Sequence, residues 1–374
     1  MIILQISPEF SPGTGVGAVA WALEQEWIRM GHDVRRFDLR SAGCGWLEGR
    51  SGGLGGRLRH AARVLCFSTM GTVRARAAVR ALPAGAIAIC HNDALAGHVY
   101  VNHGVLRAAM RARGHYAWRM VRNPLHLLTE ARDALRYRSG VHRVVVNLTQ
   151  EDDRTLCTLN PHLRSRTVVI GNGVDLERFT VPTETERLSA REELDLREED
   201  ILTVFVGHEF ERKGLFQLLE AMAGIGDRHH LAVVGGTESM ISDLHRRVAA
   251  LGLGARTHLL GVQDPRPVLA GADLLAQPSR YESYGLVVVE ALATGVPVMS
   301  TPVGIAPEVL EEGVTGYLTD GTPADMARIL ALHERQDRKA MRGRARGAVA
   351  DHSWSEVARQ YLELFRTLDQ KSGP

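Results

Sequence analysis

Lysine is almost missing from this 374-residue chain: there are three, against 42 arginines. The arginine excess by itself is read as genome composition more than function, but the position of each lysine becomes informative. No apolar run reaches the roughly 18–20 residues that a membrane-spanning helix needs. The opening residues, "MIILQISPEF", have no basic segment and no small-residue cleavage site, and read directly as a first strand. Cys44, Cys66, Cys90 and Cys157 form no CxxC pair, which argues against zinc and against a disulfide framework and suits a reducing cytoplasm. His91, His98 and His103 are separated by six and four residues across a loop and a strand, a poor ligand pattern, so no metal is expected. A clean G-x-G-x-x-G with an acidic residue at the next strand end is also lacking, which counts against a dinucleotide oxidoreductase.

What is present is an ordinary globular composition, 45% hydrophobic and 24% charged with net charge +2, at a length that suggests two domains of about 150–200 residues. The charge is divided unevenly, +11 over residues 1–170 and −9 over 171–374. Short apolar runs alternate with helical patterns in both halves. "MIILQIS", "HDVRRFDL", "AIAICHN", "HVYVNHG" and "HRVVVNLT" come first, and "TVVIGNGVDLERF" closes that half. "ILTVFVGHEF", "HLAVVGG", "THLLGV", "LLAQPS" and "PVMSTP" follow. Such βαβ alternation predicts an α/β fold with two Rossmann-like, doubly wound parallel-sheet domains facing a central cleft. The expected divisions are 1–170, 171–350 and an amphipathic helix in 351–374 that crosses back to the N-terminal domain.

The segment "YESYGLVVVEALATG" places Glu282 and Glu290 eight positions apart, the second inside an otherwise apolar run. A buried carboxylate without a partner costs several kcal/mol, about 2–7 for lesser polar groups. If a strand ends at "LLAQPS" and a helix starts near Tyr284, the turn lies at the carboxyl end of a parallel strand, where open α/β sheets bind ligands. Free N–H groups of Ser283, Tyr284, Gly285 and Leu286 would then form an anion site. The two carboxylates, roughly 12 Å apart along a helix at 1.5 Å per residue, match the layout of a nucleotide sugar: a diol at each end and a diphosphate between. The plain alternative is that Glu282 caps the helix and Glu290 satisfies a buried loop. In "VGHEFERKGLFQLLEAM", Arg212 and Lys213 enter a helix after an apolar strand, which suits a diphosphate or a solvated basic turn.

Taken together, these residues resemble the donor-site signature of retaining glycosyltransferases of family 4, which have the GT-B fold. "YESYGLVVVEALATGVPVMSTPVGIAPEVLEEGVTGYL" carries its E-x7-E pair, G-x-P-V, P-E-V and G-x-T-G-Y-L segments. "IGNGVDLERF", "ADLLAQPS", "SPGTGVG" and "GHDV" match further motifs, so the resemblance spans nearly the whole chain, strongest in 203–318. It implies that Glu290 binds ribose hydroxyls, Glu282 the donor hexose, and Arg212 and Lys213 the diphosphate, assisted by the amides of 283–286. It further implies that Gly15 approaches the diphosphate, that His103 faces the donor sugar, and that transfer proceeds with retention and without metal or other cofactor. His103 also reads as a structural strand-end histidine. The chain departs from many relatives in having His208 where they carry an arginine, with Arg212 taken as its substitute, and in a more glycine-rich "GTGVG".

Residues 107–143 interleave nine arginines with Tyr116, Trp118, Leu125, Leu127, Leu128 and Tyr137. They read as ordinary surface helices or as a surface for anionic lipid or a phosphorylated acceptor; no nucleic-acid module accompanies the charge. The resemblance to lipopolysaccharide-core members favours a glycan or glycolipid acceptor at the cytoplasmic membrane face. A nucleotide-sugar-binding subunit without turnover, and an enzyme for a small soluble acceptor, remain alternatives.

Overall fold

The computed structural model describes residues 1–13, 15–49 and 53–370; Thr14 of the glycine loop lies outside them. Six strands, β1 (Ile2–Ile6), β2 (Asp33–Phe37), β3 (Ile87–Cys90), β4 (Val99–Asn102), β5 (Val144–Asn147) and β6 (Arg166–Val169), form a parallel sheet in the order β2-β1-β3-β4-β5-β6. Six more form a second parallel sheet in the order β12-β11-β10-β7-β8-β9. These are β7 (Ile201–Val206), β8 (His229–Val234), β9 (Thr257–Gly261), β10 (Leu274–Gln277), β11 (Val298–Ser300) and β12 (Gly316–Leu318). Central strands are near-continuous Val, Ile and Leu because helices cover both faces of a parallel sheet; β5 and β10 are buried along their whole length. β12 was expected only as part of a motif, since three residues at a sheet edge carry little pattern.

Each strand order reverses once, between β1 and β3 and between β7 and β10. At such a point neighbouring loops diverge and leave a crevice outside the carboxyl ends of the strands. In the first sheet the reversal collects the loops after Ile6 and Cys90; in the second, those after Val206 and Gln277.

The chain forms two compact units, Met1–Gly173 with the residues from Trp354 onward, and Val174–Ser353. The C-terminal helix, Trp354–Gln370, buries Val357, Tyr361, Leu364, Phe365 and Leu368 along one face. It packs on helix Val16–Arg29, where Trp27, with no exposed surface, donates from Nε1 to the Ala358 carbonyl at 3.1 Å. The indole also meets the rings of Tyr361 and Phe365 at 6.0 and 5.6 Å between centroids. This helix therefore belongs to the same compact unit as residues Met1–Gly173.

One expectation is corrected. Cys44 and Cys66 are joined as a disulfide, their Cα atoms 6.6 Å apart. Scatter along the chain gave no hint that the turn after β2 meets the end of helix Gly53–Cys66. Cys90 and Cys157 are free. Among the described residues no helix is long and apolar enough to cross a membrane.

Because Trp27 fills a fully enclosed site, Trp27→Ala should cost about 3–5 kcal/mol of stability. Trp27→Phe, which keeps a ring but loses the hydrogen bond, should cost less. Urea unfolding of both variants checks this; an equal loss in the two would mean that the hydrogen bond, not the packing, dominates.

Candidate functional site

At the reversal of the second sheet, the loop after β7 is pressed against the loop after β10. Gly214 ends the first loop at φ +75°, and a Cβ there would lie 2.1 Å from the Pro278 carbonyl oxygen, so only glycine fits without displacing backbone. The same turn lays the stem of Lys213 over Gly207, where an added Cβ would lie 2.3 Å from the lysine Cδ. Its ammonium then reaches Glu282. Oε1 of Glu282 accepts hydrogen bonds from Lys213 Nζ at 2.9 Å, Gln277 Nε2 at 2.8 Å and Ser279 Oγ at 2.8 Å. Arg212 Nη1 is 3.5 Å away. Arg212 also donates from Nε to Glu209 at 2.6 Å and from Nη1 to the Tyr281 carbonyl. Burial alone would push the Glu282 carboxyl upward, but Lys213, Arg212 and the hydrogen bonds outweigh it and hold it below the usual glutamate range. Its Oε2 is bonded to none of the described residues.

The helix that follows, Leu286–Ala293, begins after Gly285 in the left-handed conformation and has no side-chain cap. Backbone N–H groups of Ser283 to Val287 are bonded to no described residue, leaving a row of donors at the positive end of the helix. The turn at Gly304 supports them: at φ +59° an added Cβ would lie 2.3 Å from the Tyr284 carbonyl oxygen, which accepts from Ile305 N at 2.7 Å. Glu290 sits on this helix, and its carboxyl accepts no hydrogen bond from the described residues. Burial raises its carboxyl to about 7; Arg178 and Lys213 oppose the shift and Asp264 adds to it.

The second unit thus brings Arg212, Lys213, Glu282, Glu290 and the amides of 283–286 onto loops and one helix at a single sheet reversal. Ammonium, guanidinium and free amides can hold phosphate oxygens, and carboxylates can accept from hydroxyls. Sequence reasoning missed Gln277 and Ser279, whose signal was two polar residues at the end of the β10 strand. It also missed Arg178 and Asp264, an ion pair at 3.5 Å whose 86-residue separation offers none. His208 is tied down by accepting at Nδ1 from the Gly236 amide at 3.2 Å.

In the first unit, Gly15 precedes helix Val16–Arg29 at φ +85° with open space around its Cα. His103 follows β4, its Nε2 buried and bonded to no described residue, and burial lowers its ring to about 4. A cavity of about 260 Å³ near the carboxyl ends of β1 and β3 is lined by Ser7, Ser11, His60, Arg63, Asn92 and Asp93, among others. The 107–143 arginines are not one surface. Arg136 is fully buried, stacked 3.7 Å over Tyr100 and donating to the carbonyls of Asn92 and Ala94. Arg132 pairs with Asp93, and Arg107 with Glu130. Arg111, Arg122 and Arg138 are exposed, as are Trp118, Val121 and Leu127. Among the described residues no three His, Cys, Asp or Glu side chains are grouped to hold a metal ion.

Residues 186–348 match the family described as Glycosyl transferases group 1. The chain is 32% identical over 220 residues to D-inositol 3-phosphate glycosyltransferase of Corynebacterium urealyticum, covering 55% of this chain and 52% of that protein. It is 34% identical over 240 residues to the Nocardia farcinica enzyme of that name, covering 60% and 52%. The chain spans about half the length of the curated relatives it matches. WaaG, a glycosyltransferase involved in lipopolysaccharide biosynthesis, superposes with a TM-score of 0.74 at 18% identity over 97% of this chain and 99% of its own. Anabaena HepE in complex with UDP and glucose does so with 0.67 at 19% over 97% and 99%. These similarities establish the GT-B fold.

The raised Glu290 carboxyl predicts a pH-dependent stability. The folded protein holds this proton up to about pH 7, whereas an unfolded glutamate releases it near 4.3. The native state therefore binds more protons between those values, and stability falls as pH rises through them. Relative to Glu290→Gln, the wild type should lose on the order of 3 kcal/mol between pH 4.5 and 7.5. Urea melts at both pH values test it; parallel curves would mean that Glu290 ionises normally.

Proposed function

We propose that this chain, whose residues 186–348 are a glycosyl transferases group 1 domain on a GT-B fold, is a retaining hexosyltransferase that uses a nucleotide sugar. The observation that carries this reading is the Lys213–Glu282 pair beside an uncapped helix N-terminus, about one turn before Glu290. Glu290 accepts from the ribose hydroxyls. Glu282 offers Oε2 to the hexose, its Oε1 being already engaged. Arg212, Lys213 and the amides of 283–286 hold the diphosphate. As the bond to the anomeric carbon breaks, negative charge grows on the departing phosphate, and preorganised cations stabilise it most at that moment. The acceptor hydroxyl attacks on the face that the diphosphate leaves, and its proton passes to the leaving phosphate oxygen. Gly15 and His103 are the substrate-facing residues of the first unit.

The acceptor proposed is a glycan or glycolipid of lipopolysaccharide type, bound through the first unit at the cytoplasmic membrane face. Exposed Arg111, Arg122 and Arg138, with Trp118 and Val121, supply cations and apolar groups for an anionic surface. A second reading, a small phosphorylated polyol as acceptor, is favoured by the names of the curated relatives. UDP-glucose is the first donor to try, since HepE binds it.

Lys213→Ala should lower kcat about 10²-fold, roughly 3 kcal/mol of transition-state stabilisation, and wild-type transfer should survive EDTA. Near-normal turnover of Lys213→Ala, or activity abolished by EDTA, would refute the diphosphate role.

Replacing Arg111, Arg122 and Arg138 together by Gln should release the protein from anionic vesicles in flotation at low salt, at about 1 kcal/mol per arginine. Transfer to a soluble acceptor should be unaffected. Wild-type protein that never floats would leave the soluble-acceptor reading standing.

A further inference from the structure

His91 has no part in the reading above, yet it stands at the reversal of the first sheet, directly after β3, with no exposed surface. Its surroundings decide which ring nitrogen carries the proton. Gln5 Nε2, on β1, donates to the Ala20 carbonyl at 3.0 Å. A carbonyl only accepts, so the amide group of Gln5 has one orientation, and its Oε1 faces His91 Nε2 at 2.7 Å. An amide oxygen also only accepts, so His91 Nε2 bears the hydrogen. The ring is therefore pinned in one tautomer and one plane by a chain running from Ala20 through Gln5. The fixed face is not idle: the His103 ring stacks on it, with centroids 5.7 Å apart and planes inclined by 29°. His91 Nδ1 and His103 Nε2 are both buried and bonded to no described residue.

We propose that His91 is a positioning residue: its ring, locked by Gln5, is the platform that fixes the His103 imidazole so that it meets a substrate hydroxyl in one orientation. This rests on the reading of His103 as a substrate-facing residue. A packed aromatic neighbour also keeps water from the ring. Burial is the cause that lowers His103, and no charged side chain contributes to that shift. The neighbour that matters is thus itself an uncharged ring, since His91 is likewise held well below its usual value by burial, with a smaller contribution from His103.

Two substitutions separate platform from filler. His91→Phe keeps a flat ring without nitrogens. His91→Asn removes the ring, and its shorter amide reaches only about as far as Nδ1, so both variants lose the donor to Gln5 Oε1 and differ in the ring. Titration of His103 by nitrogen-detected NMR should show it neutral down to about pH 4 in the wild type and in His91→Phe. In His91→Asn it should protonate near the ordinary value of about 6.5. At pH 5.5 a ring of that pKa is about nine-tenths protonated, so between pH 8 and pH 5.5 kcat/KM for His91→Asn should fall about tenfold further than for the other two, the titration of Glu290 being common to all three. An unchanged His103 titration in His91→Asn overturns the proposal. So does loss of folding in both variants, which would make His91 a core residue only. If His103 titrates as expected while His103→Ala is fully active, the substrate assignment of His103 fails and the platform stands.

Discussion

The pair between Lys213 and Glu282 is the interaction on which the second unit's loops depend. A carboxylate nearly removed from water is tolerated only when its charge is met, and here the loops after β7 and β10 supply the partners together. The pair in turn requires Gly214, because only a residue without Cβ lets the β7 loop lie against Pro278. Gly304 plays the same part for the loop after β11, which clamps the carbonyl of Tyr284. Three loops from three strands are thus tied at one point before any ligand arrives. The donors of the site are preorganised rather than assembled on binding.

The two glutamates that look alike in the sequence are made unlike by their neighbours. Glu282 is surrounded by cations and donors and stays ionised, while Glu290 has burial and only distant cations, and holds its proton to near neutrality. Divergent ionisation of neighbouring carboxyls is a common mark of functional sites.

Much of this arrangement was legible. Parallel strands announce themselves as unbroken aliphatic runs, and a glutamate inside such a run has few structural excuses. The residues that escaped did so for physical reasons. Gln277 and Ser279 end a strand, where polar residues are unremarkable. Arg132 and Arg136 looked like members of a basic surface, but their partners, Asp93 and the carbonyls of Asn92 and Ala94, lie some forty residues upstream. A charge pattern read along one helix cannot reveal what the opposite element offers. The Cys44–Cys66 bond and the Gln5–His91 chain escaped for the same reason, since both join residues that meet only in the folded unit.

The return of helix Trp354–Gln370 to the unit that begins the chain has a consequence for biosynthesis. Residues 174–353 are contiguous, so a ribosome delivers everything that unit needs before the last helix is made. The first unit has by then been synthesised for nearly two hundred residues with Trp27 uncovered, because the Ala358 carbonyl and the rings that enclose the indole do not yet exist. The half that starts first finishes last. Order of synthesis and order of completion run in opposite directions, and the interval leaves an apolar surface open to chaperones.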